Sequence, residues 1–152
     1  MNNTLIFFLV AHIFLGTFGI IFLTAYLLSI FKKENGVKWL KINSLLALLS
    51  FVGSWISGGY YYASYYGKSV KPIILKGDYP WVHTVLMETK EHVFLFLPFL
   101  TLVIFATTYF AHSDIAKDKK LALSVAGLCF TTVSIALAIM LSGIVISGAV
   151  GK

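Results

Sequence analysis

Four long apolar runs alternate with short polar segments along this chain. They are Thr4 to Phe31, Ile42 to about Tyr66, about Trp81 to Ala111, and Leu121 to Val150. Each exceeds the roughly 20 residues that cross a hydrocarbon core of about 30 Å. Backbone N–H and C=O groups cannot stay unpaired in lipid, so each run is expected to be helical. Short connections predict antiparallel neighbours. The expected fold is an all-α membrane protein, a four-transmembrane-helix up-down bundle with residues 1–152 as a single domain. No internal repeat or low-complexity tract divides it. The first run lacks a basic leader and a small-residue cleavage site, so it reads as a span rather than a removable signal peptide. The segment Gly67 to Pro80, with Pro72, Gly77 and Pro80, is expected to be an ordered external connection.

Composition narrows the class. Hydrophobic residues make up 59% and charged residues 12% of the 152. Soluble domains carry about 25% charged residues, so a soluble enzyme is excluded and a lipid bilayer is the expected surrounding. The net charge of +6 comes entirely from lysine. These lysines sit between apolar runs rather than in an Arg/Lys-rich polar face, so no nucleic-acid partner is expected. Lys32, Lys33, Lys38 and Lys41 follow the first run, and Lys117, Lys119 and Lys120 follow the third. The loop with Lys68, Lys71 and Lys76 is longer and less dense in charge. Positive residues favour the cytoplasmic side. The chain is thus expected to be multi-pass in the cytoplasmic (inner) membrane with both termini outside. Trp39 marks one interface; Tyr60, Tyr61, Tyr62, Tyr65, Tyr66, Tyr79 and Trp81 mark the other. The single Cys129 lies within an apolar run and allows neither an internal disulfide nor a cysteine metal site.

Ionisable groups inside spans are functional suspects. His12 and His92 each lie 19 residues from the inner end of their runs, at Phe31 and Ala111. At 1.5 Å per residue both are roughly 28 Å from that boundary. On helical spacing, Leu5, Phe8, Leu15, Gly16 and Gly19 share the stripe of His12, and the two glycines open space below it. Val85, Glu88, Phe96 and Phe99 share the stripe of His92, expected to face inward. His83, Lys90 and His112 fall on the opposite face. Two histidines at one depth on facing helices suit the axial ligation of haem b, with glycines clearing the macrocycle and Lys90 near the propionates.

The segment Glu88-Thr89-Lys90-Glu91-His92 is the densest chemistry. Glu88 and His92, at i and i+4, could bind a metal or let the carboxylate orient the imidazole. With His12, Glu91 and His83 they form the alternative, a site for Zn, Cu or Fe ion. The second Glu-x-x-His of a di-iron bundle is lacking. His83 is otherwise expected at the surface rim. Met140 shares the depth of the two histidines but is expected to be core packing. No phosphate loop or Ser-His-Asp order is present.

In its layout of four spans with His12 on the first and His92 on the third, the chain resembles small four-helix membrane b-type cytochromes. The resemblance implies haem-based electron transfer near the outer face, exchanging electrons with quinol or an external redox protein. His12 and His92 would be the axial ligands and Glu88 would tune them. The alternatives are a membrane metal-binding protein acting in transport or catalysis, and a structural subunit of a larger redox complex or homo-oligomer. Whether it is an enzyme is left open.

Overall fold

The computed structural model describes residues 1–32 and 37–150; Lys33, used above for topology, lies outside them. The elements are α1 (Asn3–Ser29), α2 (Val37–Tyr61), a π-helix π1 (Tyr62–Val70), α3 (Lys71–Lys76), a second π-helix π2 (Val82–Met87), α4 (Glu88–Phe94), α5 (Phe96–Phe110), α6 (His112–Lys117) and α7 (Lys119–Gly148). Among the described residues four helical stretches are long and apolar enough to cross a membrane: Asn3–Ser29, Val37–Lys76, Val82–Phe110 and Lys119–Gly148. The fold is a four-helix all-α bundle compatible with a multi-pass membrane protein, and its apolar helices suit a bilayer.

Local chemistry sets the ends and breaks. The Asn2 side chain accepts the Leu5 N–H at 2.9 Å and starts α1. Asp118 does the same for Lys120 at the start of α7. The third stretch breaks at Leu95, between α4 and α5. Pro98 explains the break, since it offers no N–H to the Phe94 carbonyl and its ring crowds that group. The second stretch continues well past the expected Tyr66. The ordered connection expected over Gly67 to Pro80 is mostly helix, from Gly67 to Lys76, and the turn is confined to residues 77–80. Pro72 stands in the first turn of α3, where a missing N–H is harmless.

Around the bundle, α1 packs on α2 and α7, and α5 packs on the same two. One core, holding Leu23, Tyr26, Phe51, Leu97, Ile104 and Cys129, fills the half towards α6. A second, with Tyr66, Val70, Ile74, Val82, Met87 and Ile146, fills the tyrosine-rich end. Small residues let the helices close: a Cβ at Gly19 would sit 2.9 Å from the Phe51 ring. The hydroxyls inside find partners. Tyr26 donates to Thr108 Oγ1 at 2.7 Å, and the Thr108 hydroxyl in turn donates a hydrogen bond to the Ile104 carbonyl. At the lysine-rich end Lys41 lies 4.7 Å above the Tyr109 ring, which ties α2 to α5.

Candidate functional site in the tyrosine-rich half

His12 is held by α2. Its Nδ1 lies 2.8 Å from the Ser54 carbonyl oxygen, and the Ser54 hydroxyl donates to the His12 carbonyl at 3.0 Å. A carbonyl can only accept, so Nδ1 carries the proton and Nε2 is left with a bare lone pair. This assignment follows from the partner. Gly58 makes the seat, because a Cβ there would fall 2.5 Å from Nδ1. Phe94 closes the other side, edge to face at 5.6 Å.

The imidazole stands where two cavities meet. One, of about 570 Å³, is lined by Trp55, Tyr61, Tyr62, Tyr65, Tyr66, Met87, Lys90 and Glu91 among others. The second, about 420 Å³, runs along α1 and α7 past Ile13, Gly16, Ile20, Ala136, Ile139 and Met140. His12, Lys90, Phe94, Gly143 and Ser147 border both. Both are lined mostly by apolar surface; the first, the chamber, adds the tyrosines and Glu91, and the second, the groove, adds aliphatic residues of α1 and α7. From Leu9 to Ile20 the groove follows α1 for about 16 Å of helical rise.

The inward face of the third stretch is the reverse of the one expected. Met87, Lys90, Glu91 and Phe94, spaced i, i+3, i+4, i+7, line the chamber. Leu97, Thr101, Ile104 and Thr108 continue that face as buried residues. The stripe of His92 points outward, with Val85 53%, Phe96 60% and Phe99 67% exposed. His92 is exposed, and its Nδ1 bonds the Glu88 carbonyl of its own helix at 2.7 Å. The structure therefore turns His92 away from the cavities that His12 borders, and among the described residues the two imidazoles are not brought together. In a lipid-facing helix both faces are apolar, so hydrophobic periodicity does not mark the inside. Thr101 and Thr108, whose hydroxyls bond back to their own helix, mark it here.

Lys90 reaches across to α7, where a Cβ on Gly143 would lie 3.2 Å from Nζ. No hydrogen bond or ion pair to Lys90 forms among the described residues. The Glu91 Oε1 atom is buried and without a partner. The Tyr62 hydroxyl stands beside the Glu91 carboxylate, so for Glu91 it is the Oε1 atom, and for Lys90 the ammonium, that keeps capacity towards whatever enters the chamber.

The other expected residues are placed as follows. Gly16 and Gly19 approach Ser54 and Phe51, so they serve the α1–α2 contact, although Gly16 also borders the groove. His83 is not at the rim: it is 2% exposed, with Nδ1 3.0 Å from the Tyr66 hydroxyl. Glu88 is 54% exposed, its Oε1 4.0 Å from His83 Nε2. Among the described residues no three of His, Cys, Asp or Glu come together to hold a metal ion. His112 sits at the start of α6, near the lysine-rich end, with a buried, unpartnered Nδ1.

Gly58 and the inward Lys90 and Glu91 were not singled out together by sequence reasoning. The spacing Met87, Lys90, Glu91, Phe94 was the available signal, since ionisable groups in a span face the interior. No protein-family model, curated protein or solved structure matches the chain.

Proposed function

We propose that this chain is a membrane quinol-binding protein that takes part in electron transfer near the outer face of the cytoplasmic membrane. The observation that carries the reading is the bare Nε2 of His12 on a ring that borders both a tyrosine-lined chamber and a groove along α1 and α7. A quinol has the matching anatomy: a flat ring with two hydroxyls and a long apolar tail. The tail would lie along α1 and α7, and the ring would stack among Phe94 and the tyrosines. His12 Nε2 would accept one hydroxyl proton, and Glu91 would face the other end of the ring. Lys90 would stabilise negative charge on a deprotonated ring oxygen. The lysine density of the opposite end supports an outward-facing chamber. Electrons would leave to a cofactor on an external partner or on a neighbouring subunit of a redox complex.

A second reading keeps haem b. Anchoring of Nδ1–H by a backbone carbonyl is the usual support of an imidazole that ligates iron through Nε2. Within one chain such a haem would have His12 alone, because His92 faces away.

The test is reconstitution of the full chain in nanodiscs with Trp39 and Trp81 replaced by Phe, leaving Trp55 at the chamber wall. A short-chain ubiquinone analogue should quench Trp55 saturably. Linear, non-saturating quenching equal to that of His12→Asn sinks the quinol reading. A Soret band in protein from a haem-replete host, lost in His12→Asn, would replace it with the haem reading.

A further inference from the structure

The proposed function leaves one group unused. His83 is buried on π2 beside the second core, where it meets Tyr66 of that core. Long π-helical segments are rare, and π-bulges are frequent at functional sites; here π1 carries Tyr66 and π2 carries His83. The two side chains meet at 3.0 Å through the Tyr66 hydroxyl and His83 Nδ1. His83 Nε2 is buried and has no hydrogen-bond partner, which leaves a polar atom uncompensated in an apolar core. The neighbour it points towards is Glu88 Oε1, 4.0 Å away on a side chain that reaches solvent. A small rotation of the exposed Glu88 closes that gap to hydrogen-bond length.

On the inner side the row continues. Tyr66 and Glu91 line the same chamber, and Tyr62, stacked on Tyr66 at 5.3 Å, lines it with them. The other elements packed on π2 are α3 and α7, which contribute the apolar Ile74 and Ile146 to this core. Among the described residues the titratable groups in contact with His83 are Tyr66 from π1 and Glu88 from α4; Tyr61, Tyr62 and Tyr65 pack on the same core, and α3 also carries Lys71 and Lys76.

We propose that Glu91, Tyr66, His83 and Glu88 form a proton relay between the chamber and the aqueous phase at the tyrosine-rich end. A proton leaves the Glu91 carboxyl through water in the chamber, which delivers a proton to the Tyr66 oxygen as the Tyr66 O–H proton passes to His83 Nδ1. The Nε2–H of His83 then goes to the Glu88 carboxylate, which releases it to water. No bond other than O–H and N–H changes, and no electron moves. A neutral imidazole can receive at one nitrogen and give from the other, which suits it to a fixed place in such a row. As an outlet for quinol protons the relay rests on the quinol reading of the chamber; as a path for protons it does not.

The experiment uses the full chain in lipid nanodiscs with no quinone present, so it succeeds or fails apart from quinone binding. A rapid pH jump is followed by infrared spectroscopy at the carbonyl stretch of protonated carboxyl groups, with Glu91→Gln identifying the Glu91 band. His83→Phe and Tyr66→Phe should each slow the rise of that band by about tenfold or more, the low end of what a positioned proton-transfer group provides, with unchanged final amplitude. Added imidazole should restore the rate in His83→Ala. Tyr66→Phe keeps the ring and removes only the hydroxyl, so it tests the row even where the histidine variants fold poorly. An unchanged rate in Tyr66→Phe or His83→Phe would overturn the relay, because Glu91 would then exchange through the chamber mouth.

Discussion

Gly58 and His12 occupy one space: a single methyl-sized atom on Gly58 would stand 2.5 Å from His12 Nδ1 and 2.7 Å from Cε1. The imidazole lies flat on the α2 backbone, within reach of the Ser54 carbonyl, because residue 58 has no side chain. That contact and the Nδ1 hydrogen bond together hold the ring where it borders both cavities.

Gly58→Ala is therefore expected to push the imidazole off its seat. The cost should be about 1–3 kcal/mol, the range for overpacking a filled interior. Quinone-analogue binding should fall with it. Thermal unfolding in detergent and the Trp55 quenching titration check the two effects. An alanine variant that binds and melts like the parent would show that the imidazole has another place to go.

Two amides separate the roles of the two imidazole nitrogens. His12→Asn puts an N–H near the Nδ1 position and keeps the bond to Ser54, but deletes Nε2. His12→Gln offers an amide near the Nε2 position and loses the anchor. The expectation is that Asn retains the stability to within about 1 kcal/mol, the worth of one hydrogen bond. It should nevertheless abolish saturable binding. Equal affinity of the Asn variant and the parent would remove Nε2 from the site.

Lys90→Met replaces an ammonium that has no ion pair among the described residues by an apolar chain of similar length. Removing an uncompensated charge from an apolar interior should leave stability unchanged or raise it by about 1–3 kcal/mol. Binding of the quinone analogue should weaken. The same titration, run beside a chemical-unfolding curve, reads both. Loss of stability would mean that the ammonium has a partner in the folded protein.

His92→Ala should be silent. The side chain is exposed and bonded only to its own helix, so stability should shift by less than about 0.5 kcal/mol. Quinone binding, and any visible spectrum, should match the parent. A haem band that depends on both His12 and His92 would show that the ligand pair is assembled between copies of the chain.

Thr108→Val tests the interior rather than the site. It keeps shape and removes the acceptor of the Tyr26 hydroxyl, which is fully buried. A stranded phenol should cost about 1–3 kcal/mol in thermal unfolding, with binding unaffected. The paired variant Tyr26→Phe/Thr108→Val should recover part of the loss, since it strands no phenol.

The sequence by itself determined the four spans, their up-down order and the bundle. Those depend on length and on the demand that lipid makes of every backbone amide, and both are one-dimensional properties. It also singled out His12 and the charged start of the third helix, since an ionisable group stands out in any apolar run. What it could not carry was rotation about the helix axis. In a soluble helix polar residues mark the outside, but a helix in lipid is apolar all round, and the stripe of His92 looked as suitable as that of Lys90. Tertiary packing decided between them: Leu97, Thr101, Ile104 and Thr108 fit the close contact with α2 and α7, while bulky Phe96 and Phe99 were left for lipid. That one rotation turned His92 outward, brought Lys90 and Glu91 beside His12, and carried His83 from the expected rim into a core. The seat of His12 is a fact of three dimensions for the same reason, since Gly58 is 46 positions away in the chain and meets the ring only when α1 lies on α2.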